Sequence, residues 1–424
     1  MNKFGIQYSG EAIKTFLKQN SYNNDTVDQS NEIRDILRKF QQGYSERKLE
    51  NVVSFTEELF LNSDDISVLG TSTGEIFLGF DEVKQLIKED WEDWGDLNID
   101  CENAFISIDG NVAWFSTNGT VKYSFEHTPE RYDRYVDYIK TTAEDNELTP
   151  KQRITFINWV LTLNYHQRDE QVREYFWPMG LSGVLVKEGS GWKIVHLQFS
   201  IAKSNFPDER FENSKEYMNS YDEQRSIIRK YKNNKVTEDI LEFLKSFEDD
   251  FREKEDISDK LIRKYFKKND KAYVIGPENR WYEGVEHIRE FFINSDINNI
   301  SMDLENTIAA KSGKATWITV MGTLKQNFTE DELINRSLQE LDNLFKSNLS
   351  SQEKLFAAQR SIAYVLKECA TGVNYTCPIR MTAVILSDEN GLKFNCIHFS
   401  FPFYWIFEGK IDTGSCVQSV NNQQ

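Results

Sequence analysis

Two histidines on nearly repeated stretches are the first residues of this sequence that suggest chemistry. The stretch HLQFSIA at 196–202 has a close counterpart, CIHFSFP, at 396–402. Because side chains alternate along a strand, His196 and Gln198 share one face of the first copy, and His398 and Ser400 share the matching face of the second. Gln198, and not His196, aligns with His398, a displacement of about 6–7 Å. A catalytic base needs a fixed position, so the pattern favours hydrogen-bonded histidines that line a pocket.

Arg380, in the stretch CPIRM at 377–381, is the second candidate. Its planar guanidinium would clamp a carboxylate if it faced a pocket, and it would have no chemical role at an exposed strand edge. Both alternatives stay open. The matching residue of the first copy is Gly180, so only the second copy carries the arginine.

Two pairs of carboxylates at i, i+2 spacing resemble acid–base pairs: Asp100 with Glu102, and Asp303 with Glu305. In both places the acids alternate with apolar residues, which puts them on the face opposite the core. The pattern therefore predicts a solvated face or the protection of an edge strand.

The composition narrows the classes of partner. The 424-residue chain has 68 acidic and 50 basic residues, and its net charge of −18 disfavours nucleic acid and anionic membrane surfaces. Its apolar stretch at 399–407 is far shorter than the roughly 20 residues of a membrane span, and the N-terminus lacks the apolar run of a signal peptide. We expect a cytoplasmic protein that binds neither nucleic acid nor membrane.

Motifs for metals and cofactors are missing from the sequence. The five cysteines form no C-x-x-C pair, which predicts reduced thiols. Metal-spaced histidines, glycine-rich phosphate loops and nucleophile triads are absent as well. The sequence therefore predicts no metal and no cofactor.

An internal duplication explains the repeated strand. The segment 99–125 aligns with 302–328, matching Trp114 to Trp317 and Gly119 to Gly322, and the offset drifts from 207 near the N-terminus to 200 near the C-terminus. We predict an N-terminal extension (1–30), a first domain (31–206), a polar linker with some helix (207–235), a second domain (236–411) and a tail (412–424).

Each copy shows the same order of elements. Amphipathic helices come first, strands rich in aromatic and branched residues follow, and a stretch of about 50 residues with helical periodicity interrupts the strands. Since a hairpin needs only a few residues, this stretch predicts a pair of inserted helices. The fold class is α+β.

The motifs in this order resemble the SnoaL-like branch of the nuclear transport factor 2-like superfamily, which includes ketosteroid isomerases and polyketide cyclases. They are the segments 79–96, 103–115 and 191–200, and the resemblance covers 31–206 and, more weakly, 236–408. It implies two cone-shaped domains, each a curved antiparallel sheet wrapped around N-terminal helices. It also implies pairing through the outer sheet faces, within one chain as a pseudo-dimer or between chains as a homodimer.

The resemblance also implies a pocket inside each cone. Trp114 and Trp317 would then line cavities suited to a planar or apolar ligand. Tyr44 would match the oxyanion-donating tyrosine of ketosteroid isomerases, but its counterpart in the second copy is Phe251, and the sequence places no aspartate beside it. The isomerase mechanism is therefore unsupported.

Three functions remain. The leading hypothesis is a binding protein for a small apolar or aromatic molecule. The second is a cofactor-independent acid–base enzyme such as an isomerase, cyclase or dehydratase. The third is an association module whose sheet surfaces recruit partners, because one scaffold of this kind supports many functions.

Overall fold

The computed structural model describes residues 28–93, 96–126, 129–164, 172–189, 191–202, 215–231, 235–267, 271–295, 297–371, 374–389 and 391–402. Of the predicted N-terminal extension, 1–30, the structure describes only residues 28–30, and the predicted tail, 412–424, lies outside the described residues.

The first half of the chain contains five helices and seven strands among the described residues. The helices are α1 (Asp28–Glu46), α2 (Val52–Leu59), α3 (Phe80–Asp93), α4 (Pro129–Glu144) and α5 (Pro150–Asn164). The strands are β1 (Ser67–Leu69), β2 (Ile76–Leu78), β3 (Asp96–Ile99), β4 (Phe105–Asp109), β5 (Val112–Glu126), β6 (Val172–Glu188) and β7 (Gly191–Ile201).

The second half repeats this order after a helix in the predicted linker, α6 (Lys215–Lys230). Its own helices are α7 (Glu238–Asp250), α8 (Asp259–Tyr265), α9 (Gly284–Asn294), α10 (Glu330–Lys346) and α11 (Ser351–Thr371). Its strands are β8 (Tyr273–Ile275), β9 (Trp281–Glu283), β10 (Ile300–Ser312), β11 (Ala315–Asn327), β12 (Asn374–Asp388) and β13 (Gly391–Ser400).

Two sheets of matching topology confirm the α+β class and the duplicated plan. The first runs β2-β1-β7-β6-β5-β3, with β4 also paired to β5, and the second runs β10-β11-β12-β13-β8-β9. All neighbours are antiparallel except β1 with β7 and β8 with β13. The register also confirms the sequence alignment: Gln198 pairs with Leu69, and His398 pairs with the corresponding Ile275.

The helices pack on one face of each sheet because their apolar residues recur at helical spacing. In α1 the buried side chains are Ile33, Leu37, Phe40 and Tyr44. The ring of Phe40 stacks on Phe199 of β7, with centroids 6.3 Å apart. In the second domain Phe291 of α9 stacks on Phe399 of β13 at 5.7 Å. The odd-numbered residues at the end of β7 and β13 thus face the helices, and the even-numbered ones face away.

The outer faces of the two sheets contact each other. The indole Nε1 of Trp114 donates to Asn395 Oδ1 at 2.8 Å, and the hydroxyl of Tyr273 donates to Ser116 Oγ at 2.9 Å. Trp317 and Val384 of the second domain belong to the same buried apolar cluster as the core of the first. The core is therefore continuous across the contact.

The predicted paired-helix insertions are confirmed. α4 and α5 connect β5 to β6, and α10 and α11 connect β11 to β12. α4 packs against α5, α5 against α11, and α11 against α10, which places the four helices side by side in that order. Trp159 and Val160 of α5 and Ala363 of α11 form part of the small apolar core that joins the two insertions.

Candidate functional site

Seven of the eight predicted site residues lie between the two sheets. They are Trp114, His196 and Gln198 from the first domain and Trp317, Arg380, His398 and Ser400 from the second, and each is at most 6 % exposed. None of the seven lines the small cavity beside Tyr44 or the groove beside Trp281 in the second domain. Their role in ligand binding stays a prediction.

Both ring nitrogens of His398 are within hydrogen-bond distance of serines on the first domain's sheet. Its Nδ1 lies 2.9 Å from Ser182 Oγ, and its Nε2 lies 2.8 Å from Ser200 Oγ. Burial, and then the nearby His196, together lower the pKa of His398 to about 3. The imidazole is therefore neutral at physiological pH and joins the sheets as a hydrogen-bonding side chain.

His196 lies in the same buried layer. Its Nδ1 is 2.8 Å from Ser67 Oγ on the neighbouring strand of its own domain. Among the described residues its Nε2 has no hydrogen-bond partner. Burial lowers its pKa to about 3. With both histidines fully enclosed by protein, neither can take a proton from a substrate.

Gln198 and Ser400 complete the layer. The Gln198 amide donates to Ser400 Oγ at 3.1 Å, and Gln198 Oε1 accepts a short hydrogen bond from Thr382. Thr382 in turn lies 2.8 Å from Thr319 Oγ1 on the next strand. Hydroxyl and amide groups thus satisfy one another in a region without solvent, as buried polar groups require.

Arg380 is the largest polar side chain in the contact, and it is 1 % exposed. Its two terminal nitrogens donate to the carbonyl oxygens of Gly70 at 2.7 Å, Ser72 at 2.6 Å and Thr73 at 3.1 Å, in the loop between β1 and β2. β12 lies between β11 and β13, so the alternative of an arginine at an exposed strand edge is wrong. The guanidinium recognises backbone carbonyls of the other domain.

Tyr44 is the one predicted site residue inside a cone. Its hydroxyl donates to Asp90 Oδ2 at 2.8 Å, so an aspartate does lie beside it, which the sequence did not show. Burial, and then the charge of Asp90, hold the pKa of Tyr44 well above its ordinary value. The cavity there measures about 20 Å³, which is room for about one water molecule. This cavity is too small for an organic ligand.

The predicted solvated acids make structural contacts. Arg38 binds Glu102 Oε1 at 2.6 Å on the surface, and Asp303 accepts hydrogen bonds from Arg225 of α6 and from Asn306. Asp100 accepts from Asn103 within the turn that follows β3. These contacts belong to turns and edges.

The second domain contains a groove of about 760 Å³ beside β9 and α9. Its lining combines apolar and aromatic side chains with charged groups. The lining residues include Trp281, Phe291, Ile297, Leu324 and Phe401, together with Glu278, Arg280, Tyr282, Glu283, His287, Glu290 and Gln326. Its volume lies in the range of pockets that enclose small organic ligands.

Glu283, the last residue of β9, is a partly buried carboxylate of the groove. Within the described residues its Oε1 has no hydrogen-bond partner. Burial raises its pKa, and the neighbouring His287 acts in the opposite direction. His287 lies one helical turn further along, with its Nδ1 3.0 Å from the Glu283 carbonyl oxygen.

Tyr282 and Glu278 form a second polar pair in the groove. The Tyr282 hydroxyl donates to Glu278 Oε1 at 2.6 Å. Burial, and then this bond, raise the pKa of Tyr282. None of these groove residues was predicted from the sequence. Their one sequence signal is the i, i+4 spacing of Glu283 and His287 at the start of α9, which is too common on helices to single out a site.

Among the described residues, no three His, Cys, Asp or Glu side chains come close enough to hold a metal ion. No helix in the same residues has the length and apolar character to span a membrane.

Comparison with known families bears on the first domain. Residues 33–134, which include α1, Tyr44 and the strands up to β5, match one family model. They match the SnoaL-like domain. This confirms the resemblance over that segment, which ends in α4 at the start of the first insertion and does not include β6 and β7. No curated protein matches the chain.

Two of the solved structures similar to the chain are named as nuclear transport factor 2-like proteins. A superfamily protein from Salmonella enterica is 14 % identical and matches 42 % of this chain and 94 % of its own, with a TM-score of 0.27. A putative dehydratase from Streptomyces avermitilis is 10 % identical over 42 % of this chain and 100 % of its own, with a TM-score of 0.28. TM-scores this low support no inference about activity.

Proposed function

We propose that the protein binds a small organic molecule in the groove of the second domain. The observation that carries the proposal is the combination of an aromatic wall, Trp281 and Phe291, with the unpartnered buried oxygen of Glu283 in a space of about 760 Å³. A buried acceptor without a partner costs free energy. A ligand that donates a hydrogen bond to Glu283 Oε1 recovers this free energy.

The lining residues indicate the chemistry of the ligand. Three glutamates, at 278, 283 and 290, outnumber Arg280 and His287, so the groove favours a neutral or cationic molecule over an anionic one. Phe291 and Phe401 offer apolar surface, and Trp281 offers a ring face to a planar or cationic group. We infer an apolar or aromatic molecule with one hydrogen-bond donor or amine.

The two domains then have different roles. We propose that the sheet contact makes the chain an intrachain pseudo-dimer, in which the first domain supports the second and only the second binds a ligand. The small size of the cavity beside Tyr44, about 20 Å³, supports this division.

Acid–base catalysis is the second candidate function. It is favoured by a glutamate whose pKa is raised by burial, next to a histidine one helical turn away in the same groove. Such a pair can hold and transfer protons without a cofactor. Isomerases, cyclases and dehydratases are the reaction classes to test once a ligand is known.

The test is a thermal-shift screen against a library of small amines and aromatic compounds, followed by calorimetric titration of each hit. Glu283→Leu removes the acceptor oxygen and the charge, so we expect it to weaken binding at least tenfold. Glu286→Leu, at an exposed position on the adjacent helix α9, is the matched control and should bind as the wild type does. Equal affinities of both variants would place the ligand elsewhere.

A further inference from the structure

Exposed apolar side chains are concentrated on the inserted helices. Among the described residues eleven large hydrophobic side chains are exposed, and nine of these lie on α4, α5, α10 and α11. The two others, Leu49 and Val53, lie near α2. Scattered exposed hydrophobics need no explanation, but a concentration on one substructure indicates an interaction surface.

The exposed residues of α10 and α11 follow the spacing of helices that pack against other helices. In α10, Ile334, Leu338 and Phe345 are 38 %, 58 % and 57 % exposed, at intervals of four and seven residues. In α11, Leu355, Ile362 and Leu366 are 65 %, 48 % and 52 % exposed, at intervals of seven and four. Such a stripe on each helix is the pattern of a helix–helix seam.

Charge identifies the partner that fits these stripes. The chain as a whole has a net charge of −18, which repels a second copy over most of its surface. The sequence of α10 has five acidic and two basic residues, a net charge of −3. The sequences of α5 and α11 together have five basic and two acidic residues, a net charge of +3. A second copy brings both signs to this surface.

We propose that the inserted helices are a homodimer interface, with α10 of each copy packed against α11 of the other around a two-fold axis. The apolar stripes form the seam. At each of its two symmetry-related halves, the acidic α10 of one copy lies against α11 and the neighbouring α5 of the other, which together have a net positive charge. Such a contact is self-complementary, as a two-fold interface requires. It leaves the sheet faces in their contact within the chain and leaves the groove open.

The size of the surface sets the strength of the dimer. Helices of 17 and 21 residues are about 26 and 32 Å long, and side by side they offer a face of roughly 550 Å². Specific interfaces begin at about 600 Å² per partner. The dimer is therefore weak and dissociates on dilution.

Sedimentation velocity of the full chain over about 1 to 100 μM tests this proposal. We expect a monomer–dimer equilibrium in the wild type and a monomer at all concentrations for Leu338→Glu and, separately, for Ile362→Glu. Val53→Glu, at a position 54 % exposed outside the insertions, is the matched control and should dimerise as the wild type does.

Two results would overturn the proposal. One is a wild type that remains monomeric up to the highest concentration. The other is a dimer that persists in both α10 and α11 variants, with circular dichroism showing that they are folded.

Discussion

The Asn279 side chain of the second domain occupies the space next to Gly180 of the first. A Cβ added at Gly180 would lie 3.0 Å from Asn279 Oδ1 and 2.7 Å from Ser200 Oγ. Gly180 corresponds to Arg380, which instead reaches the loop between β1 and β2 of the other domain. At this position the first copy has no room for an arginine, because the Asn279 side chain of the other domain lies against Gly180. In the second copy the matching Arg380 reaches a different loop, the one between β1 and β2.

Gly180→Ala should destabilise the protein because the added methyl group has no room between the sheets. We expect a loss of about 1–3 kcal/mol in the free energy of unfolding, the usual cost of overpacking, measured by urea denaturation. Gly74→Ala is the control, since nothing lies within 4 Å of a Cβ at that position. Equal stability of the two variants would mean that the sheets do not approach each other this closely.

Arg380→Met should cost about 3–5 kcal/mol in the free energy of unfolding, because it leaves buried carbonyl oxygens without their donors. The exposed Arg229→Ala on the linker helix should change stability little. The competing hypothesis, an anion clamp, predicts a stable Arg380 variant that loses affinity for a carboxylate ligand. Urea denaturation and titration on the same samples separate the two.

The buried histidines predict a loss of stability as the pH falls. Their folded pKa values are about 3, against an ordinary value of 6.5. Above pH 6.5 both states are neutral at these sites, so the histidines add no pH dependence. Between 6.5 and 3 the unfolded chain binds protons that the folded chain excludes. The free energy of unfolding then falls by up to about 2.7 kcal/mol per pH unit for two sites.

His398→Gln isolates this effect. It should reduce the slope between pH 6.5 and 5 by about half, in urea denaturation at a series of pH values. An unchanged slope in the His398 variant would show that this site is protonated or solvated in the folded protein.

Tyr44→Phe should cost about 0.5–1.5 kcal/mol in the free energy of unfolding, the contribution of one hydrogen bond. The second domain carries Phe251 at the matching position, 3 % exposed, so the packing tolerates a phenyl ring. Ligand affinity should not change, because the ligand is assigned to the other domain. A matched loss of affinity in calorimetry would instead place a binding site in the first cone.

The amphipathic periodicity of α1 and the alternation along β7 and β13 were enough to predict the helices, the strands and the face that each residue occupies. The repeat was enough to predict two domains with equal plans. These features depend on residues close in the chain, and a helix or strand determines side-chain direction over such distances.

The sequence could not show which sheet face lines a pocket. His398 and Phe399 are neighbours, yet one contacts the other domain and the other contacts α9. The polar face was predicted to be the pocket because polar side chains usually meet solvent or a ligand. Here they meet matching polar groups of the second sheet, which satisfies them equally well.

The sequence by itself determined the duplication, the elements of each copy and the identity of the polar residues on each strand. Only the tertiary structure decided that His398 and Ser200 bond to each other across about 200 residues of chain, and that Glu283 lies in an open groove. The physical reason is that burial and hydrogen bonding depend on which surfaces meet, and surfaces that meet belong to elements distant in sequence.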